Sequence, residues 1–435
     1  MYTHAPQVVS TRAASKPWNA RLARIIARLT LVAGLTATCA PAIGETPAGA
    51  GTADDFPGRV LLQLRPRYYY TDQSNKPLQA EAANVRSLLG YRYAPSGEFE
   101  FTGQIVNVSW LGPIRANIQP GRADFGPGSS PSPYPLVGDP DTTDLNLLYA
   151  DYRGLADTRI RIGRQAIKLG NERFVGDADV RQMPQVFDAI SVRNRSLPKT
   201  ELFAAQAWHV RTYFGNRFQS RTTLLNARTQ IAPGLNMGAY AYLQNQPQIN
   251  VITLLGDNSN RIVGARLEGN LEAPAAVRWY YTAEAARQRP FANGDRLIRA
   301  EYYRLAAGPS WGIFSAQVDY ERLGSNRGKY GFQMPLSYNT SQGWAYEFLN
   351  TPMQGLRDLN LSVAAALGRW KLWLKRHRFS AAYGGNSLGR EWDFAVAYRF
   401  SAALSIRGVF GRFRSEGGFF RPHAQRYYVT MQYDY

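Results

Sequence analysis

The chain has 435 residues, a formal net charge of +19 and 13% aromatic residues, 26 of them Tyr. A soluble chain of this length ordinarily divides into two or more domains, yet no linker or abrupt change of composition separates candidate domains. No run of about 18 apolar residues is present to form a membrane helix. That excludes a helical membrane protein but not a membrane barrel, whose strands are apolar only at every second residue.

Residues 1–44 read as a secretory signal with an N-terminal extension. Arg21, Arg24 and Arg28 precede the apolar stretch 29–38, and small residues from Ala40 to Gly44 offer a cleavage site. The lone cysteine, Cys39, falls inside this segment, and Thr38 stands before it where a lipoprotein signal wants Gly, Ala or Ser. The mature chain is therefore expected to hold no disulfide and no thiolate metal site. Losing the five cations of residues 1–44 takes the formal charge from +19 to +14 over residues 45–435.

From near Phe56 onward the dominant pattern is alternation. Val60, Leu62, Leu64, Tyr68 and Tyr70 share one face of the first window, and Arg59, Gln63, Arg65 and Arg67 the other. Val277, Trp279 and Tyr281 alternate with Arg278, Tyr280 and Thr282, and Trp392, Phe394 and Val396 with Glu391 and Asp393. Period two over windows of this length predicts strands. Tyr and Trp at the strand ends suit a bilayer interface, where one edge of the ring is wet and the other apolar. Eighteen strands are predicted, starting near 57, 84, 98, 144, 157, 186, 201, 220, 235, 260, 276, 296, 311, 356, 370, 390, 403 and 424. The connections alternate between short and long: 94–97, 154–156, 195–198, 232–234, 273–275, 307–309, 367–369 and 401–402 against 71–83, 111–143, 169–185, 213–219, 246–259, 289–295, 322–355, 384–389 and 415–423. Short turns on one rim and long loops on the other predict an all-β, transmembrane antiparallel barrel with periplasmic turns and extracellular loops, in the outer membrane of a Gram-negative bacterium. The chain stops in mid-alternation at Tyr433 and Tyr435, so its last strand is expected to pair with its first and leave no free edge. Connection 111–143, with seven Pro and five Gly, is expected to fold into or over the pore.

If the apolar faces meet lipid, the opposite faces point into the lumen. By phase these carry Arg59, Arg65, Arg67, Arg86, Arg92, Arg159, Arg161, Arg211, Arg278, Lys371, Lys375 and Arg407. Glu98, Glu268, Glu284, Asp319 and Asp393 are read as scattered acids among them. A charge on the lipid face costs several kcal/mol at mid-depth, which favours the inward assignment. Such a lumen enriches anions, and Arg suits two-pronged contact with carboxylates. Two plainer readings stand beside this one: luminal Arg and Glu simply brace the wall, and Arg at strand ends meets lipid phosphates.

One stretch concentrates the cations. Residues 159–192 carry Arg159, Arg161, Arg164, Lys168, Arg173 and Arg181 on and between two strands. Within it, GRQ (163–165), RFVG (173–176), RQ (181–182) and FDA (187–189) follow in order. This series resembles the signature of the alginate export family of outer-membrane porins. The resemblance implies an eighteen-stranded barrel and passive export of an acidic polysaccharide through an electropositive constriction of luminal Arg and Lys with a few acids. Carried over, Arg164, Arg173, Arg181 and Asp188 occupy the motif's charged positions and, with Lys168, are expected to line the pore and bind anions; the alternative, equally open for the loop charges, is that they lock the loop to the inner wall. The alginate exporter is similar in its long second extracellular loop, matched here by 111–143. It also has a long periplasmic turn late in the chain that covers the pore, where this chain has only 401–402.

No H-E-x-x-H occurs, and His209 and His377 lie beside cations, so no enzyme is expected. The spacing of Asp139, Asp141 and Asp144 is compatible with Ca²⁺, but solvated loop acids are the preferred reading. No cofactor or metal is expected. The expected partners are outer-membrane lipid and lipopolysaccharide, the outer-membrane assembly machinery, and an anionic polysaccharide or small anionic solute, with no nucleic acid. The reading is thus a passive porin for anions, with an acidic polysaccharide such as alginate as one candidate cargo. Its alternatives are uptake of small carboxylates or sugar acids and a non-conducting structural or adhesion barrel.

Overall fold

In the computed structural model, residues 58–118, 132–246, 257–337, 342–417 and 421–435 are described. The expected signal segment 1–44 lies outside them, as does 119–131 of the second long connection. The strands are β1 (Gly58–Gln73), β2 (Ala80–Tyr93), β3 (Phe99–Trp110), β4 (Thr142–Leu155), β5 (Thr158–Gln165), β6 (Val186–Asn194), β7 (Thr200–Arg211), β8 (Arg217–Ala232) and β9 (Leu235–Asn245). They continue as β10 (Asn260–Ala273), β11 (Val277–Pro290), β12 (Ala300–Trp311), β13 (Phe314–Leu323), β14 (Leu356–Leu367), β15 (Trp370–Ser380), β16 (Ser387–Arg399), β17 (Leu404–Ser415) and β18 (Ala424–Asp434). Each pairs antiparallel with its sequence neighbours, and β1 also pairs with β18, so the sheet closes with every edge satisfied.

The predicted alternation of short and long connections holds around the barrel, and strand starts fall within four residues of the sequence reading. The larger offsets have local causes. β12 begins at Ala300 because Asp295 turns the preceding chain, accepting from the backbone N–H of Leu297 (2.8 Å) and Ile298 (3.0 Å). β2 begins early, at Ala80, because its first inward residues, Ala80 and Ala82, are too small to carry an alternation signal.

One face of each strand is apolar and exposed. Leu89, Ile105, Leu148, Ile162, Leu271, Leu305, Val318 and Leu361 project outward, with Tyr91, Phe101, Trp279, Trp311 and Trp370 toward the short-turn rim. In a bilayer these side chains meet lipid tails and interface. The seam is reinforced by stacking of Tyr70 on Tyr427 at 4.6 Å between ring centroids.

The buried core is the lumen. Phe174 and Val175 of the 166–185 connection, and Phe332, Leu336 and Phe348 of the 324–355 connection, pack against inward Phe187, Val210, Ile262, Tyr302, Phe379 and Phe413. The two connections are joined to each other by a parallel bridge between Val175 and Leu336.

Candidate functional site: two charged walls and a strut

The inner wall divides by charge. On β1 to β7, inward arginines outnumber inward acids, and the register sets several guanidinium groups directly opposite one another: Arg59 and Arg92, Arg65 and Arg86, Arg159 and Arg193. Like charges so placed repel, and each pair is relieved by a carboxylate or a backbone carbonyl. Asp151, fully buried on β4, accepts from Arg161 Nε (2.6 Å) and Nη2 (2.8 Å), pairs closely with Arg159, and lies 3.6 Å from Arg153. Glu100 takes Arg153 (2.9 Å) and Arg92 (3.5 Å), and Glu201 takes Arg193 and Arg195. The carboxylates lie behind the guanidiniums. The Asp151 side chain has no exposure, whereas those of Arg153 and Arg159 are 43% and 37% exposed.

Four of the five acids read from the sequence as scattered are gathered on the opposite wall, while Glu98 stands exposed in the turn between β2 and β3. Glu268, Glu284, Asp319 and Asp393 join Glu321, Asp358 and Glu391 there, all from β10 to β16. Arg304 donates to Asp319 at 2.7 Å, Arg266 lies 3.0 Å from Glu268, and buried His377 stands between Asp358 (2.9 Å) and Asp393 (3.4 Å). Alternation put each acid inward. Only the closure of the barrel placed them on one side.

The 166–185 connection crosses between the walls with its charges reversed. Its cation Arg173 reaches the acidic wall and its anion Asp179 the basic wall. Arg173 donates from Nε (2.6 Å) and Nη2 (2.9 Å) to Glu321, which also accepts from the Tyr302 hydroxyl at 2.7 Å. Asp179 accepts from Arg86 (2.8 Å) and Arg65 (3.0 Å), and Arg67 donates to the Val180 carbonyl at 2.9 Å. Burial raises the Asp179 carboxyl, but Arg86 and Arg65 outweigh it and hold the group below the usual carboxylate range. Arg181 is buried with its guanidinium 5.0 Å from the Tyr213 ring centroid and 4.5 Å from that of Tyr346, donating to the Val137 carbonyl at 3.3 Å. Arg426 lies 4.7 Å from the same Tyr346 ring, so two cations flank one aromatic face system at the centre of the packing.

The signature motifs thus build this strut. Gly163 has φ +120, and a Cβ there would sit 2.2 Å from the Leu148 carbonyl oxygen. Gln165 donates to the Ala189 carbonyl at 2.9 Å and accepts from Ser191 Oγ at 2.7 Å, fixing the strut's first end to β6. Gln182 donates to Asn84 Oδ1 at 2.7 Å and to the Arg65 carbonyl at 3.0 Å, fixing its second.

The sequence-derived residues therefore separate. Arg65, Arg67 and Arg86 are buried anchors of the strut, and Arg159 and Arg161 line the basic wall. Arg92 and Arg278 sit near the short-turn rim, Arg278 paired with Glu272 at 2.7 Å. Lys168 stays half exposed between Glu172 (3.4 Å) and Asp177 (3.2 Å). Arg164 and Asp188 are not in the lumen. They pair at 2.7 and 2.9 Å on the outward side with Ile162 and Ile190, because register matches Arg164 to Asp188 one residue beyond the inward Gly163 and Ala189. Asp141 is exposed, as the solvated reading expects, but the other two loop acids differ from it. Asp139 is fully buried and accepts from Tyr69 and Asn84, and Asp144 pairs with Arg211 (3.4 Å) and Arg217. Asp151, Glu100, Arg153, Arg193 and Arg426 were missed as site residues, although all five follow from the parity of neighbouring strand residues.

The family model described as alginate export matches residues 111–345, more than half of the chain. Among solved structures the fold is similar to OpdQ of Pseudomonas aeruginosa, with a TM-score of 0.66 at 13% identity over 87% of this chain and 98% of that one. It is similar to OccAB2 of Acinetobacter baumannii, with a TM-score of 0.64 at 13% identity over 87% and 98%. It is also similar to Pseudomonas aeruginosa OpdK solved with vanillate, with a TM-score of 0.61 at 12% identity over 86% and 98%. No curated protein matches the sequence.

Proposed function

The chain belongs to the alginate export family, and from that premise we propose that this outer-membrane porin passes anionic solutes passively along its basic inner wall. The observation that carries the reading is the arrangement around Asp151. One buried carboxylate orients three guanidiniums, of which those of Arg153 and Arg159 stay partly exposed. Fixed, pre-oriented Arg groups suit carboxylates better than mobile ammonium groups do. The acidic wall opposite adds a transverse field that draws an anion to the basic side.

Two anion classes compete. Small carboxylates or sugar acids suit the described conformation, in which 166–185 and 324–355 are packed into the lumen, and OpdK solved with vanillate shares this fold. An acidic polysaccharide such as alginate suits the family, and requires the strut to move. The late periplasmic connection, between Arg399 and Leu404, is too short to cover the pore, so gating falls to the inward connections.

Reversal potentials in planar bilayers under a KCl gradient test the reading. Anion preference is expected, together with its loss when Arg153, Arg159 and Arg193 are replaced by Gln. A wild-type channel that prefers cations sinks the proposal. A barrel that conducts only after residues 170–182 are shortened is a plugged one, and the non-conducting reading then holds.

A further inference from the structure

The outward face carries a feature that conduction does not use. Near the long-loop rim, outward positions of successive strands hold Arg instead of apolar residues. The register of β15, β16 and β17 arranges them in rows. Leu374, Phe394 and Phe410 form one row, Arg376, Trp392 and Arg412 the next, and Arg378, Arg390 and Arg414 the last. Rows are two residues apart, about 6.6–6.8 Å along the strands. Within about 14 Å of strand the surface passes from purely apolar, through mixed Arg and Trp, to purely cationic.

These side chains face outward because their neighbours in sequence are inside: His377, Phe379, Glu391 and Phe413 are buried in the lumen. Three guanidiniums directly opposite one another on adjacent strands repel. Among the described residues the only ion pair in this group joins Arg390 to Glu416 at 2.7 Å. Arg378, Arg390, Arg412 and Arg414 are all exposed. The motif recurs where Arg261 opposes Arg289 and Arg322 opposes Arg357, also at the long-loop end.

We propose that the Arg378, Arg390 and Arg414 row, with Arg376 and Arg412 beneath it, binds the phosphorylated headgroup of an outer-leaflet glycolipid whose acyl chains lie on Leu374, Phe394 and Phe410. The charge is complementary, and the patch is continuous with the lipid belt. The depth order matches an amphiphile with its anion uppermost. A free phosphate would meet only the top row, whereas a lipid anion engages all three. Trp392 lies in the mixed row between the apolar and the cationic one, an interfacial level at which an amphipathic ring is favoured. Arg phosphate contacts are bidentate and charge-assisted, which offsets the repulsion within the row.

The test uses the full barrel in detergent, titrated with diphosphorylated lipid A and, separately, with lipid A stripped of both phosphates, and read by native mass spectrometry. The wild type is expected to bind the diphosphorylated form at least about tenfold more tightly. R378Q/R390Q/R414Q is expected to lose roughly 10- to 100-fold of that affinity, while Arg278→Gln at the opposite rim loses none. Arg414→Lys keeps the charge but not the fork and is expected to fall between, so the proposal stays testable if the triple variant folds poorly. Unchanged affinity in both row variants, equal binding of dephosphorylated lipid A, or displacement of the lipid by millimolar inorganic phosphate would each overturn the proposal. Because the row lies outside the lumen, channel conductance is expected to be unaffected by R378Q/R390Q/R414Q, so this result and the conduction result fail independently.

Discussion

Arg173 and Glu321 join the strut to the far wall through two parallel N–H to carboxylate contacts, 2.6 and 2.9 Å long, with both side chains almost fully buried. A loop held only by apolar packing would settle in many positions. A forked ion pair fixes distance and orientation together.

Removing one partner leaves an uncompensated charge in a site closed to water. Glu321→Met or Arg173→Met alone is expected to destabilise the strut by about 3–5 kcal/mol, whereas the double replacement costs clearly less than the sum. Urea unfolding of the four barrels measures the cycle. Additive losses would mean that the pair is incidental and that the strut is held by its other contacts.

The other end responds to pH. Asp179 is held below the usual carboxylate range by Arg86 and Arg65. A group whose folded pKa is depressed contributes stability that is present above its unfolded value, near 3.9, and is lost as pH falls through the folded value. The strut is therefore expected to stay anchored from neutrality to about pH 4 and to loosen below it, seen as increased current noise in single channels. Asp179→Asn is expected to show that noise at pH 7 already. Noise that rises with a midpoint near pH 6 would point to another group.

The barrel was legible because membrane strands must alternate along their length, and a strand residue away from a bulge reports its face by parity. Arg159 and Arg161 were placed inside by that rule alone. The strut was legible only through the motif series, and its geometry was not. Nothing local tells Arg173 that its partner is Glu321, 148 positions away. Arg164 and Asp188 lie outside the lumen because a motif position does not by itself set the face: Arg164 has the parity of Ile162, an exposed outward residue. Separation into a basic and an acidic wall is a property of closure, since it depends on which strands end up facing each other across the lumen.

Gly163 gives a backbone prediction. Its φ of +120 disfavours a side chain, and a Cβ would meet the Leu148 carbonyl oxygen at 2.2 Å, on the adjacent strand and unable to withdraw without breaking the ladder. Gly163→Ala is expected to cost on the order of 1–3 kcal/mol and to lower the refolding yield of the barrel. Gly97, with open space around its would-be Cβ and no positive φ, serves as the neutral control. Equal yields for the two variants would remove the structural reading of the GRQ glycine.

The two walls predict different outcomes for the same change of charge. Glu268 on the acidic wall lies 3.0 Å from Arg266 and 3.2 Å from Arg228, and Arg228 is more than half exposed. Glu268→Gln therefore frees guanidinium charge into the lumen at little structural cost, and the anion to cation permeability ratio is expected to rise roughly twofold. Asp151→Asn also adds one positive charge, but it removes what is, among the described residues, the only carboxylate paired with Arg159 and Arg161, and leaves their repulsion unrelieved. Its anion preference is expected to stay level or fall, because guanidiniums that splay apart no longer present an ordered wall, and its thermal unfolding is expected to begin earlier. Equal gains in selectivity from both variants would show that net luminal charge alone sets the preference, and that the carboxylate-backed order of the basic wall contributes nothing to it.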